Sequence, residues 1–306
     1  MAEQEVLSVI FSMDCLPAGG TKDVPGPARW DQAAEAPHAF AHALDELGFR
    51  ATFFVAPEAL RRLGKRMEQM AEAGCELGLL CHPQLGGYQA YLGSYSYDRQ
   101  REMIRVARRA WEDRLGREPA AFRPGFFSAN DYTFHAACME GFRQGSCSMP
   151  ARMDNDQCSM WYESYPFPHH TDPLDRLSAG TMEFYEVPVT SDFEAAASIS
   201  YETYTPPHLR IEEADVHEYA RPLMGRWLDW MDEEETEVKV LHLVTSNLVN
   251  WGQEDDPHVE RLRNLCVTLR EVAQQWDLSV RWSSLKALHE RADRLLGVGL
   301  DEQAGS

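Results

Sequence analysis

No apolar run in this 306-residue sequence approaches the length needed to cross a bilayer. Its seven cysteines (15, 75, 81, 138, 147, 158 and 266) are odd in number and form no CxxC pair. A disulfide framework is therefore not expected, and reduced thiols fit a cytoplasmic protein. The opening stretch "MAEQEVLSVIFSMD" lacks a basic n-region and a long apolar core, so no signal peptide is read there. Bases are also scarce: 29 Lys and Arg face 49 Asp and Glu, a formal net charge of −20. Such a surface repels a phosphate backbone and an anionic leaflet. Nucleic acid and membrane are not expected as partners, while a neutral or cationic small-molecule substrate stays open. Much of the acidic excess sits in "DWMDEEETE" (229–237) and "GQEDDP" (252–257), read as solvated loops.

What is present is an ordinary globular composition, 44 % hydrophobic and 25 % charged, long enough to bury a large core. No internal repeat, low-complexity tract or linker stands out, so one domain over 1–306 is expected. Within it, 150–182 reads as a long irregular functional loop, rich in Trp, Tyr, Pro and His, and 296–306 as a flexible tail. "EVLSVIFSM" is continuously apolar, as a strand of a parallel sheet buried on both faces should be. "RATFFVAP" (50–57), "CELGLLCHP" (75–83) and "PAAFRPGFF" read as further strands, followed by "RQGSCSMP", "EFYEVPVT" (183–190) and "EVKVLHLVT" (237–245). Between them lie amphipathic helical stretches, such as "SYDRQREMIRVARRAWEDRLG", where Ile104, Ala107, Trp111 and Leu115 recur at helical spacing and Gly116 closes the helix. Repeated βα units over nearly the whole length predict an α/β fold with mainly parallel strands, closed or nearly closed into a barrel.

In such folds reactive groups collect where strands end. The first strand delivers Asp14 and Cys15, the third Cys81 and His82, the fourth Arg123, and the late strand His242. A carboxylate at the end of a buried strand is costly unless paired or metal-bound; its bland alternative is a turn-capping acid. An arginine in an apolar strand end needs an acid nearby, and its charge would hold that acid ionised. An acid, imidazoles and an arginine at one mouth suit metal-assisted hydrolysis: the metal polarises a carbonyl, a carboxylate takes the water's proton and a histidine protonates the leaving group. His82 and His242 could equally be histidines satisfied within the core.

The same segments, in order, resemble the polysaccharide deacetylases, or NodB-homology domains, of carbohydrate esterase family 4. "VIFSMD" resembles the family's first motif, a strand ending in T-F-D-D, and "LDELGFRATFFV" its next strand. "AGCELGLLCHP" matches the segment that carries a His pair, "FRPGFF" the Arg-Pro motif, and "KVLHL" the last motif with its catalytic His. The resemblance spans roughly residues 6 to 150, more weakly to about 290. It implies an irregular (β/α)7-type barrel and a divalent transition metal such as zinc. It also implies N-deacetylation of an N-acetylated sugar or a related amide or ester. By matching position, Asp14 would be the general base, Arg123 its orienting group, His242 the general acid and His82 a metal ligand.

Two ligand positions depart from the pattern: Cys15 stands where a second Asp is usual, and Gly86 where the second His lies one turn after His82. Three replacements are open. Cys15 could bind zinc as a thiolate, Asp14 could itself be a ligand, or His169 or His170 of "FPHHTDP" (167–173) could reach in. In "MWYESYPF" (160–167), Trp161 and Tyr162 offer a sugar-stacking platform or an anchor for the loop's own packing. Two functions follow: a divergent metal-dependent hydrolase, or the same barrel with an eroded site, retained to bind a carbohydrate-like ligand.

Overall fold

The computed structural model describes residues 5–195, 203–252 and 257–297. The expected loop at 252–257 and the tail from 296 fall largely outside them. The elements in chain order are β1 (Val6–Cys15), α1 (Trp30–Glu46), β2 (Thr52–Val55), α2 (Leu60–Glu72), β3 (Glu76–Cys81), α3 (Tyr97–Leu115), β4 (Phe122–Pro124), α4 (Thr133–Met139) and β5 (Gln144–Gly145). Then come β6 (Met153–Asp154), β7 (Ser159–Met160), β8 (His169–His170), β9 (Tyr185–Glu186), α5 (Arg221–Glu233), β10 (Val240–Ser246), α6 (Pro257–Gln275), β11 (Ser279–Trp282) and α7 (Leu285–Leu296).

The main sheet runs β10-β1-β2-β3-β4-β5-β9-β8, with β11 also on β1, and every pair in it is parallel except β8–β9. This curled sheet, with seven α-helices among the described residues, is the mainly parallel α/β architecture that the βα rhythm predicts, in the irregular (β/α)7-type form that the family resemblance implies. β1 is its axis. Ser8–Asp14 pair with Val240–Ser246 on one side, while Val6–Val9 take β11 and Ser12–Cys15 take β2. Flanked on all sides, β1 has Leu7, Val9, Ile10, Phe11 and Met13 fully buried, which is why its apolar run does not alternate.

Irregular chain spans the gap between β9 and β10. Pro188 lacks an N–H and stops the strand expected over 183–190 after two residues. Thr190 then takes over: its N–H donates to His242 O at 3.3 Å and its Oγ1 accepts from His242 N at 2.9 Å. Leu209 and Ile211 continue the seam against Val244. The run 229–237 is also not a loop throughout. Its first half ends α5, whose stripe Leu223, Met224, Trp227, Leu228 and Met231 is buried while the acids face outward.

Two polar anchors position the ends of the barrel. Pro37 inside α1 cannot donate to the Ala33 carbonyl, and Asn247 Nδ2 reaches that oxygen at 3.5 Å. The same amide accepts from Leu16 N and donates to Leu16 O, both at 2.9 Å, tying the carboxyl ends of β1 and β10 together. At the opposite end, buried Glu76 accepts from Leu285 N and Lys286 N at 2.9 and 3.0 Å, seating the amino terminus of α7 beneath β3. No helix among the described residues is long and apolar enough to cross a membrane.

Candidate active site

A cavity of about 340 Å³ opens at the carboxyl edge of the sheet, lined by Asp14, His82, Pro124, Ser246 and the irregular segments between strands. Asp14 sits at its floor with a quarter of its side chain exposed, and Arg123 Nη1 donates to its Oδ1 at 2.7 Å. The guanidinium is itself buried. Its Nε and Nη2 donate to Ser146 O at 3.2 Å and Ser146 Oγ at 2.9 Å, and its cation lies 4.0 Å over the Phe54 ring. Arg123 thus aims one carboxylate oxygen and leaves the other side of Asp14 to the cavity.

His82 follows β3 and packs its ring flat on the next strand's turn. A Cβ on Gly125 would stand 2.1 Å from the His82 ring, so only glycine fits there. Phe126 presents its edge to the ring with centroids 4.9 Å apart, and both Phe126 and Phe127 are held at φ 57°, strained for non-glycine residues. Burial pushes the His82 imidazole down to about 4, partly countered by the Asp14 charge, so it is neutral at neutral pH.

His242 lies elsewhere than the family position implies. It pairs with Ile10, four residues below the Asp14–Ser246 level, and is fully buried. Val187 O lies 3.3 Å from Nδ1, which makes Nδ1 the N–H donor. Nε2 then accepts from Ser12 Oγ at 2.8 Å and Arg123 Nη2 at 3.3 Å. Burial and the Arg123 cation keep it neutral. Behind Ser12 and Arg123, it does not line the cavity, and in this structure its ring supports Arg123 rather than facing the cavity as a general acid would.

Cys15 is corrected as well. Successive strand residues point to opposite faces, so its thiol is turned away from the side that carries Asp14. It is fully buried, and burial together with the Asp14 charge pushes the thiol well above its usual range. It does not line the cavity and is not placed to act as a ligand there. At position 86 there is no side chain, and a Cβ would meet the Tyr88 ring at 3.7 Å and Glu58 Oε1 at 3.9 Å. His169 is buried with Nδ1 on Phe167 O at 2.6 Å, and His170 lies on β8 near the amino edge of the sheet. Neither lines the cavity. Among the described residues a single group of three donors could hold a metal, His170, His289 and Asp293, and it is not at this mouth. The cavity's donors, Asp14, His82, His208 and Glu213, form no cluster of three close ligands, so the mouth does not complete the metal set that the family resemblance implies.

Trp161 is no stacking platform. It is fully buried, donates Nε1–H to Phe127 O at 2.8 Å and anchors the 150–182 segment; half-exposed Tyr162 does not line the cavity either. The cavity's aromatic surface comes from Phe126 and Phe127 instead. Sequence reasoning also passed over Arg152, His208, Arg210 and Glu213, which line the far wall. Arg152 bonds Thr205 Oγ1 at 2.9 Å, and Arg210 donates to His208 Nε2 at 3.2 Å and pairs with Glu212 at 2.9 Å. The run "TPPHLR", two prolines followed by alternating His and Arg, was the available signal. A further buried acid, Glu186, accepts from Cys147 N and from Ser148 N and Oγ, and its carboxyl is raised to about 7 by burial.

This floor of Asp14, Arg123 and His82 stands in a fold that solved deacetylase structures share. The family model "Polysaccharide deacetylase" matches residues 26–145, a stretch that carries His82 and Arg123 but not Asp14. A protein from Mycobacterium smegmatis described as a polysaccharide deacetylase shares the fold at TM-score 0.58 and 15 % identity, over 97 % of this chain and 93 % of that one. One from Pseudomonas aeruginosa PAO1, described likewise, gives 0.57 and 14 %, over 94 % and 91 %. PuuE allantoinase gives 0.58 and 13 %, over 97 % and 93 %. A search of curated proteins found no match.

Proposed function

We propose that the protein is a hydrolase of non-peptide C–N bonds that removes an acyl group from a small, polar, N-acylated substrate of about sugar size. The observation that carries this reading is Asp14: a carboxylate fixed by a buried arginine at 2.7 Å, open to a cavity of about 340 Å³ that neutral His82 shares. That volume is at the lower end of small-molecule sites, about 300–1,000 Å³. Asp14 takes a proton from water as the water attacks the carbonyl carbon. The guanidinium groups of Arg152 and Arg210 on the opposite wall suit the negative charge that builds on the carbonyl oxygen. When the C–N bond breaks, the proton held by Asp14 passes to the leaving nitrogen, with His82 the imidazole at hand to relay it. Water and amide in give acid and amine out. No step is routed through a metal, because the donors at the mouth do not make a set. Its seven free cysteines fit a reducing compartment, so we place the substrate in the cytoplasm.

The fold alone does not choose a sugar over another amide, since an allantoinase shares it. The test is hydrolysis by wild type and Asp14→Asn of a panel of N-acetylated amino sugars, followed by acetate release, and of cyclic amides, followed by the carboxylate formed on ring opening. Turnover lost in the variant supports the assignment; full turnover in Asp14→Asn refutes the base. A second reading, ligand binding without turnover, draws on Gly86 and Cys15 standing where ligands are usual. It takes over if wild type turns over nothing yet a panel member binds saturably and raises Tm.

A further inference from the structure

At the amino edge of the sheet, remote from the cavity, three side chains from two distant parts of the chain converge. His170 is on β8; His289 and Asp293 lie one turn apart on α7. His170 Nε2 is 3.0 Å from Asp293 Oδ1 and His289 Nε2 is 3.4 Å from Asp293 Oδ2. One donor atom from each of the three residues falls within 4.8 Å of the others. His170 pairs with Tyr185, itself in register with Gln144, which lies five residues before the cavity-lining Met149. At about 3.3 Å per residue the cluster is therefore some ~16 Å from the mouth.

The outer hydrogen bonds decide what the inner atoms offer. His170 Nδ1 lies 3.1 Å from Met182 O, a carbonyl, so this nitrogen carries the proton. His289 Nδ1 lies 3.1 Å from Gln144 Oε1. The Gln144 amide is oriented by its own Nε2, which donates to Ala120 O, so its oxygen faces His289 and again Nδ1 carries the proton. With the one proton of each ring on Nδ1, both Nε2 atoms are lone pairs facing a carboxylate that is also an acceptor. Three acceptors that meet in this way are satisfied by a shared cation.

The rings are also held in place. Tyr185 stacks on His289 at 5.3 Å and 2°, and His170 meets both rings edge-on at 5.3 and 5.2 Å. Glu183 and Glu290 act on His289, each paired with a base, Arg143 at 3.1 Å and Lys286 at 4.0 Å, and Arg291 is a further neighbouring base.

We propose that His170, His289 and Asp293 form a divalent transition-metal site, of the kind zinc takes, that clamps α7 to β8. Two imidazoles and a carboxylate, each imidazole backed by an Nδ1–H bond to a carbonyl oxygen, are zinc-type donors with an ordered outer shell. Asp293 is 31 % exposed, which leaves room for water as the fourth ligand. The role is structural: the metal joins segments 123 residues apart and touches no wall of the cavity.

The test uses chelator-treated full-length protein titrated with zinc and, separately, cobalt. The readouts are metal stoichiometry by elemental mass spectrometry, thermal unfolding and the cobalt visible spectrum. One equivalent bound, a raised Tm and a tetrahedral cobalt band are expected. Asp293→Asn, isosteric and partly exposed, should weaken binding about tenfold or more with unchanged circular dichroism, as should His170→Gln. Asp14→Asn and His82→Ala should retain the metal. No metal uptake by wild type, with the cluster held as a protonated His170–Asp293 ion pair, overturns the proposal. Binding that survives in Asp293→Asn and His170→Gln but is lost in His82→Ala overturns it too, and moves the metal to the cavity. Hydrolysis on Asp14 stands or falls separately, by its own assay.

Discussion

Replacing Arg123 by methionine keeps most of the stem's volume and removes the planar fork. Ser146 O and Oγ then lose donors at 3.2 and 2.9 Å deep in the barrel. Each buried acceptor left without a partner costs about 1–3 kcal/mol. The cation over Phe54 at 4.0 Å is lost as well, a desolvated contact of about 2 kcal/mol at most. Ser12 and His242 keep their mutual bond at 2.8 Å and lose less. Asp14 is 26 % exposed and rehydrates in part, so its share is discounted. The expected destabilisation is about 4 kcal/mol, in line with breaking other buried ion pairs.

Urea unfolding followed by circular dichroism measures it, with Arg263→Met as the control. Arg263 and its Glu46 partner are 55 % and 52 % exposed, so its loss should cost no more than about 1 kcal/mol. Adding Asp14→Asn to Arg123→Met should recover on the order of 1 kcal/mol, because the uncompensated carboxylate goes with it. A loss below about 1 kcal/mol for Arg123→Met alone would refute the view that this guanidinium organises the floor of the site.

Two further outcomes follow from the same geometry. His82, His169 and His208 are lowered by burial to about 4 and His242 further, so these four stay neutral when folded yet protonate when unfolded below about 6.5. The unfolded chain then binds the more protons, and the stability they contribute is full above that pH and is lost as pH falls toward 4. Glu186, raised to about 7, and Glu76 and Glu58, also raised by burial, run the other way, their contribution full below the usual carboxylate range and lost as pH rises through their folded values. Between pH 6.5 and 4.5 the four imidazoles outnumber the three carboxyls, so unfolding free energy should fall by about 1 kcal/mol or more per pH unit as pH drops; a flat profile across that window would contradict the burial of these rings. Gly125→Ala places a methyl 2.1 Å from the His82 ring and should displace it, lowering kcat while the Asp14–Arg123 pair persists; unchanged kcat would remove His82 from the reaction.

Much of the barrel was legible because burial on both faces writes itself into sequence. β1, β2 and β3 are unbroken apolar runs, and α3 shows Ile104, Trp111 and Leu115 at helical spacing, all buried. The closing seam was not legible. It is made by Thr190 Oγ1 and by backbone bonds from Leu209 and Ile211, and neither leaves a periodic trace. The acidic face of α5 hid its apolar stripe for a similar reason, since a run of acids reads as loop when the alternating Trp227, Leu228 and Met231 are overlooked.

At the site, position along a strand was readable and depth in the barrel was not. Asp14, His82 and Arg123 end apolar runs, and strand ends at the carboxyl edge meet at the mouth whatever the register. His242 sits inside a run, so its level depends on which residue of β1 it faces, a pairing between segments 232 residues apart in sequence. Had Asp14 paired with His242 instead of Ser246, the imidazole would stand at the cavity; with its backbone four residues lower, roughly 13 Å at about 3.3 Å each, its ring reaches only as far as Ser12 and Arg123. The same blindness applied to His170. Its neighbours in sequence suggested a ligand for the mouth, whereas its partners His289 and Asp293 come from a helix more than a hundred residues away, seated at the other end by Glu76. Local pattern identifies which side chains are costly to bury, and only the strand order and register determine which of them meet.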